Sequence, residues 1–238
     1  MQYSALLLKQ RVTIGSLDLE HLLPILLGVL FSIGFILYAK KTSVVKRKDF
    51  LFNALTLSIS ATVVVFHVYH LVFSNYNFRT DLPLYLCSLM ALVIPLFSIY
   101  KRYWMFEILV FWIIAGTIQG VITPDIAVGF PSFDYFRYWI VHLGLLSVIF
   151  YAIVVFGMKP RFKSVFISFG ALQIYVAFMV IINILMESNY FYLNEKPKSA
   201  TLLDYFGEWP YYIIVVQLII TPLFLLIYLP FYFTRNKS

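Results

Sequence analysis

The chain has 238 residues, 62% of them hydrophobic and 12% charged, with a mean hydropathy of +0.88 and a formal net charge of +7. A water-soluble domain of that length needs far more polar surface, so composition excludes one and points to an all-α polytopic membrane protein. The surplus of lysine and arginine gathers beside apolar blocks, which reads as a rim facing anionic lipid and excludes nucleic acid as a partner.

Met1–Glu20 is expected to lie along the interface as a short amphipathic segment. It does not read as a cleavable signal, because the short apolar run Ala5–Leu8 precedes Lys9 and Arg11 instead of following them. Seven apolar blocks follow: His21–Ala39, Phe50–Phe73, Pro83–Tyr100, Met105–Thr123, Tyr135–Phe156, Val165–Met186 and Tyr211–Phe233. Blocks of about 20 residues match a hydrocarbon core about 30 Å thick. Each must be helical, since backbone groups in lipid have to be satisfied internally. The third is the shortest and carries Pro83 and Pro95. The whole chain, 1–238, reads as one transmembrane domain: the bundle spans 21–233 and 234–238 form a tail. The longest connection is Glu187–Pro210.

Seven spans put the termini on opposite sides. The segments Lys40–Asp49, Lys101–Trp104, Gly157–Ser164 and Thr234–Ser238 hold 12 of the 18 basic residues, and the other side holds nine of the eleven acids. Basic loops stay in the cytoplasm, so the C-terminus is expected there and the N-terminus outside. This predicts a multi-pass protein of a cell membrane, with its basic loops in the cytoplasm.

Polar residues inside the spans are the candidate functional groups, because lipid makes them costly. The only cysteine, Cys87, and the histidines His67, His70 and His142 all fall near the outer ends of their spans. Cys87 and His142 differ in expected depth by only about 5 Å. Asn53, Ser60 and His67 recur every seven residues on one face of the second span, with His70 one turn on. Asp134, Tyr138 and His142 share a face of the fifth. Gly116 and Gly120 form a small-xxx-small pair in the fourth, whose outer end carries Gln119 and Thr123. Asn183 lies near the outer end of the sixth.

A cysteine beside a histidine supports acyl transfer: the thiolate attacks an ester carbonyl and the imidazole protonates the leaving alkoxide. Cys87 is the candidate nucleophile and His142 the candidate base. His67, His70 and Tyr138 would support the site, and so would Tyr85, on the resemblance described below. Gln119 or Asn183 would donate to the oxyanion, although the sequence does not identify which. Asp125 either orients His142 or starts the turn after Thr123-Pro124. Arg137, Lys196 and Trp209 are candidates for a lipid head group, within or beside an outer lid of polar and aromatic residues from Asn189 to Pro210. No cofactor is expected, and the partners are membrane lipids, an ester that donates the acyl group and an alcohol that accepts it; the resemblance described below implies a phospholipid donor and a lysolipid acceptor. Two rivals stand beside this reading. His67, His70 and His142 could instead hold zinc for lipid hydrolysis, although no His-Glu-x-x-His occurs. A non-catalytic lipid or ligand sensor, or a transporter, would use the same cluster as a binding or proton site.

Five segments carry a family resemblance: Leu82-Pro-Leu-Tyr-Leu-Cys87, Gly116-Thr-Ile-Gln-Gly-Val-Ile-Thr-Pro-Asp125, Phe130-Pro-Ser-Phe-Asp-Tyr-Phe-Arg-Tyr-Trp-Ile-Val-His142, Asn189-Tyr-Phe-Tyr-Leu-Asn-Glu-Lys-Pro197 and Leu202-Leu-Asp-Tyr-Phe-Gly-Glu-Trp-Pro210. Together, and in this order, they resemble the YwaF-like family of bacterial integral membrane proteins. The pattern is also similar to a eukaryotic transmembrane family of ether-phospholipid acyltransferases. That resemblance implies acyl movement between phospholipids, with a catalytic cysteine matched by Cys87 and a histidine matched by His142. The sequence departs from the pattern at Tyr85, where Leu-Pro-Leu-His-Leu-Cys is expected. A tyrosine there can hydrogen-bond but cannot act as a base at neutral pH.

Overall fold

The computed structural model describes residues 18–126, 128–197 and 201–235. Most of the expected interfacial segment Met1–Glu20 and the last three residues of the tail lie outside them. Among the described residues the chain is helical, with no strand. Seven rods follow one another: α1 (Leu19–Lys41), α2 (Val45–Phe73), α3 (Leu86–Tyr100), α4 (Tyr103–Ile122), α5 (Phe133–Val154), α6 (Phe162–Met186) and α7 (Tyr211–Arg235). All but α3 are long and apolar enough to cross a membrane. The expected third span, Pro83–Tyr100, begins later than expected, its helix running from Leu86 to Tyr100. Its helix has only 15 residues, about 22 Å of rise against a hydrocarbon core of about 30 Å. The cause is local: Pro83 sits in a tight turn closed by Leu84 N–H to Leu82 C=O at 2.7 Å, and Tyr85 is extended. α2, in contrast, starts five residues earlier than expected, because Val45–Asp49 continue its helix.

α5 is the most buried of the six long helices and α1 the least. α5 packs against α1, α2 and α3, α4 packs against α6, and α6 against α7. An aromatic cluster of Phe52, Phe97, Tyr151 and Phe156 ties α2, α3 and α5 together, and the Tyr151 hydroxyl donates to the Lys48 carbonyl at 2.9 Å. Where α1 crosses α5, a Cβ on Gly28 would lie 2.5 Å from Leu143, so glycine permits the approach.

The two ends of the bundle differ in chemistry. At one end Lys101 pairs with Asp49, and the buried Glu107 accepts from Arg161 at 2.8 Å and from Ser164 at 2.6 Å. Both acids of this basic end are thus held by partners. The other end is rich in loops and tyrosines. Asn183 fastens its longest loop to α6. Its Nδ2 donates to the Tyr190 carbonyl at 2.9 Å, and its Oδ1 accepts from Tyr190 N–H at 2.8 Å and Ser188 at 2.9 Å. Asn183→Ala leaves these buried groups unpaired. We expect it to cost about 1–3 kcal/mol, read as a lower midpoint of thermal unfolding in detergent.

Candidate functional site

Cys87 lies in the first turn of α3. The strand of chain that leads to it is pinned from below and above by tyrosines. Tyr190 accepts from the Leu82 N–H at 2.9 Å and donates to the Phe78 carbonyl at 2.7 Å, and Tyr175 of α6 donates to the Leu84 carbonyl at 2.6 Å. The Tyr85 ring packs against Tyr190 and Tyr192, with centroids 5.4 and 5.2 Å away. Tyr85 therefore belongs to the aromatic support under the loop.

Facing Cys87, α4 widens into a π-helical turn over Ile113–Thr117. Such turns insert an extra residue and recur at functional sites. The Thr117 hydroxyl is fully buried and forms no hydrogen bond of normal geometry; the group within its reach is the Cys87 thiol. Leu86 packs on Gly116 beside it.

His142 reaches the same stretch of α4 from α5. Its Nδ1 is 2.8 Å from the Tyr138 carbonyl. A carbonyl only accepts, so Nδ1 carries the proton and Nε2 is the basic nitrogen. The ring stacks on Tyr138 at 4.0 Å between centroids. Its Nε2 edge lies against Gly120, where a Cβ would be 2.7 Å from both Cδ2 and Nε2. The Tyr138 hydroxyl donates to the Gly120 carbonyl at 2.7 Å and accepts from the Asp125 N–H at 3.3 Å. Cys87 and His142 are thus gathered round Thr117–Gly120, one helical turn or about 4.5 Å of rise apart on α4, and not joined by a direct hydrogen bond. Cys87 is also within electrostatic range of Tyr138 and Tyr175.

Arg137 supplies the positive charge. It donates to Asp134 at 2.6 and 3.1 Å, lies 4.4 Å over the Phe66 ring, and is within electrostatic range of Cys87, His67, Tyr138 and His142.

Other expected site residues are placed differently. The Asp125 carboxylate accepts from the Tyr192 hydroxyl at 2.7 Å, and the Tyr138 carbonyl orients the His142 imidazole. Burial and the adjacent Asp125 carboxylate raise the Tyr192 phenol well above its ordinary range, so it stays a donor. Gln119 donates to Thr123 at 2.8 Å on its own helix. Asn183 is committed to the Tyr190 loop. Neither amide is spent on Cys87, because each satisfies buried or helix-end groups nearby. Lys196 is paired with Glu208 at 3.1 Å, and the exposed Trp209 donates to the Leu193 carbonyl at 3.1 Å. His70 Nδ1 lies 3.1 Å from Ser74 at the end of α2. His67, His70 and His142 do not converge: among the described residues no group of three or more His, Cys, Asp or Glu side chains is placed to hold a metal. His21, buried, lies 2.7 Å from the Val121 carbonyl and stacks on Trp139, which fastens α1 to α4 and α5.

Hollows among the described residues include an apolar one of about 380 Å³ between α1 and α5 and a polar one of about 460 Å³ among the loops. Neither is lined by Cys87 or His142. Sequence reasoning missed Thr117, which stands in an apolar run; its one signal is its place between Gly116 and Gly120.

No curated protein and no solved structure matches the chain. The family model described as TMEM164 family matches residues 16–228, which take in all seven rods except the end of α7. Six long apolar helices and this match agree, and the chain belongs to the TMEM164 family of transmembrane proteins.

Proposed function

We propose that the protein is a lipid acyltransferase or transacylase that works through an acyl-thioester on Cys87, with His142 as its base. The observation that carries this reading is the meeting of a first-turn cysteine and a basic His142 Nε2 at one stretch of α4, Thr117–Gly120. His142 takes the thiol proton as sulfur attacks the ester carbonyl, and returns it to the departing alkoxide. The acceptor hydroxyl then takes the acyl group from sulfur. Tyr138 holds His142 from one side, and Thr117 stands beside the sulfur. Arg137 is positioned to offset negative charge on the tetrahedral intermediate or on a lipid phosphate.

In this reading α3, although short, completes a single seven-span domain. Its missing length is filled by the Leu82–Tyr85 turn, so the site lies within the membrane-facing end of the bundle instead of on its surface. The basic end faces the cytoplasm, with the C-terminus there and the N-terminus outside. The protein is then a multi-pass protein of a bacterial plasma membrane, of the YwaF-like branch, and its partners are a phospholipid donor and a lysolipid acceptor.

The test is the phospholipid acyl profile of membranes that carry the wild type, Cys87→Ala or His142→Ala at equal levels. A shift with the wild type alone supports the reading, and identical profiles from all three overturn it. Within this scheme Thr117→Val removes the hydroxyl beside the sulfur. We expect transfer to slow by about 10–100-fold, the value of a hydrogen bond to a charged group, with expression unchanged. The rate of acyl transfer in membranes checks this.

A further inference from the structure

A second imidazole is prepared in the same way as His142, and the scheme above gives it no task. His67 Nδ1 is 3.1 Å from the Tyr76 hydroxyl, which donates its own proton to the Asp81 carbonyl at 2.8 Å. Burial and the Asp81 charge raise the Tyr76 phenol, so it keeps that proton. The Tyr76 oxygen must then accept from His67. Nδ1 therefore carries hydrogen and Nε2 holds a bare lone pair. That Nε2 is buried and has no partner. A buried acceptor left without a donor is costly, and in a native structure it asks for a reason.

Helix geometry gives the level of His67 relative to Cys87. α2 and α3 run antiparallel, with Asp49 near Lys101 and Thr56 donating to Ser98 at 2.8 Å across the interface. Eleven residues beyond Thr56 on α2 is His67, and eleven residues before Ser98 on α3 is Cys87. Eleven residues make about three helical turns, overshooting by only about 20°. Counted along the two helices, His67 and Cys87 fall at similar levels, with Pro95 of α3 between Cys87 and Ser98. Arg137 of α5 lies over the Phe66 ring, next to His67 in the chain, and within electrostatic range of both His67 and Cys87.

We propose that His67 Nε2 is the base for the acyl-accepting hydroxyl, so that two histidines divide the two halves of the reaction. This rests on the transacylase reading. His142 serves formation of the thioester. In the second half His67 takes the hydroxyl proton as the new O–C bond forms. The C–S bond breaks, the sulfur leaves as thiolate, and the His67 imidazolium returns the proton to it, which restores thiol and neutral imidazole. The Tyr76 and Asp81 contacts hold the ring in the required tautomer throughout. The ligand class is a lipid alcohol, and Nε2 is its hydrogen-bond acceptor.

The experiment uses the full chain in detergent micelles with p-nitrophenyl laurate as donor and 1-palmitoyl-lysophosphatidylcholine as acceptor. The nitrophenolate burst reports thioester formation, and diacyl product reports transfer. His67→Phe is expected to keep a burst of one equivalent while transfer falls by about 10²–10⁴-fold. His67→Gln, which keeps a hydrogen-bond acceptor but cannot take a proton, should show the same burst and the same slow transfer. Transfer at the wild-type rate in His67→Phe overturns the assignment, as does loss of the burst in His67→Gln. A wild type that gives no burst removes the transacylase reading and this assignment with it. A wild-type burst with unimpaired variants removes the assignment alone.

Discussion

Cys87→Ala is expected to abolish acyl transfer while leaving the protein folded. The sulfur is the only thiol in the chain, and the scheme has no second nucleophile to take the acyl group. Removing the covalent route returns the reaction to direct attack by a lipid alcohol, a loss on the order of 10⁴-fold or more. The structural cost is small. The side chain loses one heavy atom, worth about 1 kcal/mol at a partly buried position. The Leu82–Tyr85 turn is held by Tyr175 and Tyr190 and not by the thiol. Cys87→Ser should be nearly as inactive, because a hydroxyl is the weaker nucleophile without a closely bonded base. Product formation in membranes and unfolding midpoints in detergent, measured on the same preparations, check both halves of the expectation. An inactive Cys87→Ala that is also unfolded would leave the role of the thiol to Cys87→Ser.

The second large effect is expected at a residue that touches no substrate. Gly120→Ala places a methyl group 2.7 Å from both Cδ2 and Nε2 of His142 and 3.1 Å from the Tyr138 hydroxyl. The imidazole must move by about 1 Å to regain ordinary contact. The ring cannot swing freely, since Nδ1 is bonded to the Tyr138 carbonyl and the opposite face is stacked on Tyr138. A displacement of that size in a reacting group costs about 10²-fold. Alanine is the better helix former by about 1 kcal/mol, so the helix itself does not suffer. Gly34→Ala is the control, because a Cβ there meets nothing within 4 Å. The account expects a fall in transfer of about 10²-fold for Gly120→Ala and none for Gly34→Ala. Equal activity of the two would mean that the position of His142 is irrelevant to the reaction.

Hydropathy made the apolar helices legible, because lipid leaves a chain few alternatives to a helix. The ends were less so. Pro83 has the hydropathy of a span residue, but its fixed φ belongs to the turn before Leu86, and only the structure shows that α3 starts after it. The π turn of α4 could not be read at all. Ile113, Ile114, Ala115, Gly116 and Thr117 suit an α-helix equally well, and the extra residue is a property of how α4 meets its neighbours. Counting along the spans gives Cys87 and His142 similar depths. That Cys87 lies by Thr117 and His142 by Gly120 is not legible that way, since it needs the rotation of α4. Asn183 and Gln119 show the limit of reasoning from residue type. A buried amide reads the same whether it will serve an oxyanion or a loop, and here one serves the Tyr190 loop and the other Thr123. Asp125 is similar: its carboxylate went to Tyr192, and a main-chain carbonyl, which no side-chain reading could propose, took His142.

The central claim is that an acyl group resides on Cys87. The most direct measurement is mass analysis of the Cys87 peptide from membranes incubated with an alkyne-tagged phosphatidylcholine, with and without hydroxylamine. The account predicts an acyl adduct on Cys87 that hydroxylamine removes, that declines when lysolipid is added, and that is absent in His142→Ala. Continued acyl transfer with Cys87 unmodified throughout would contradict it.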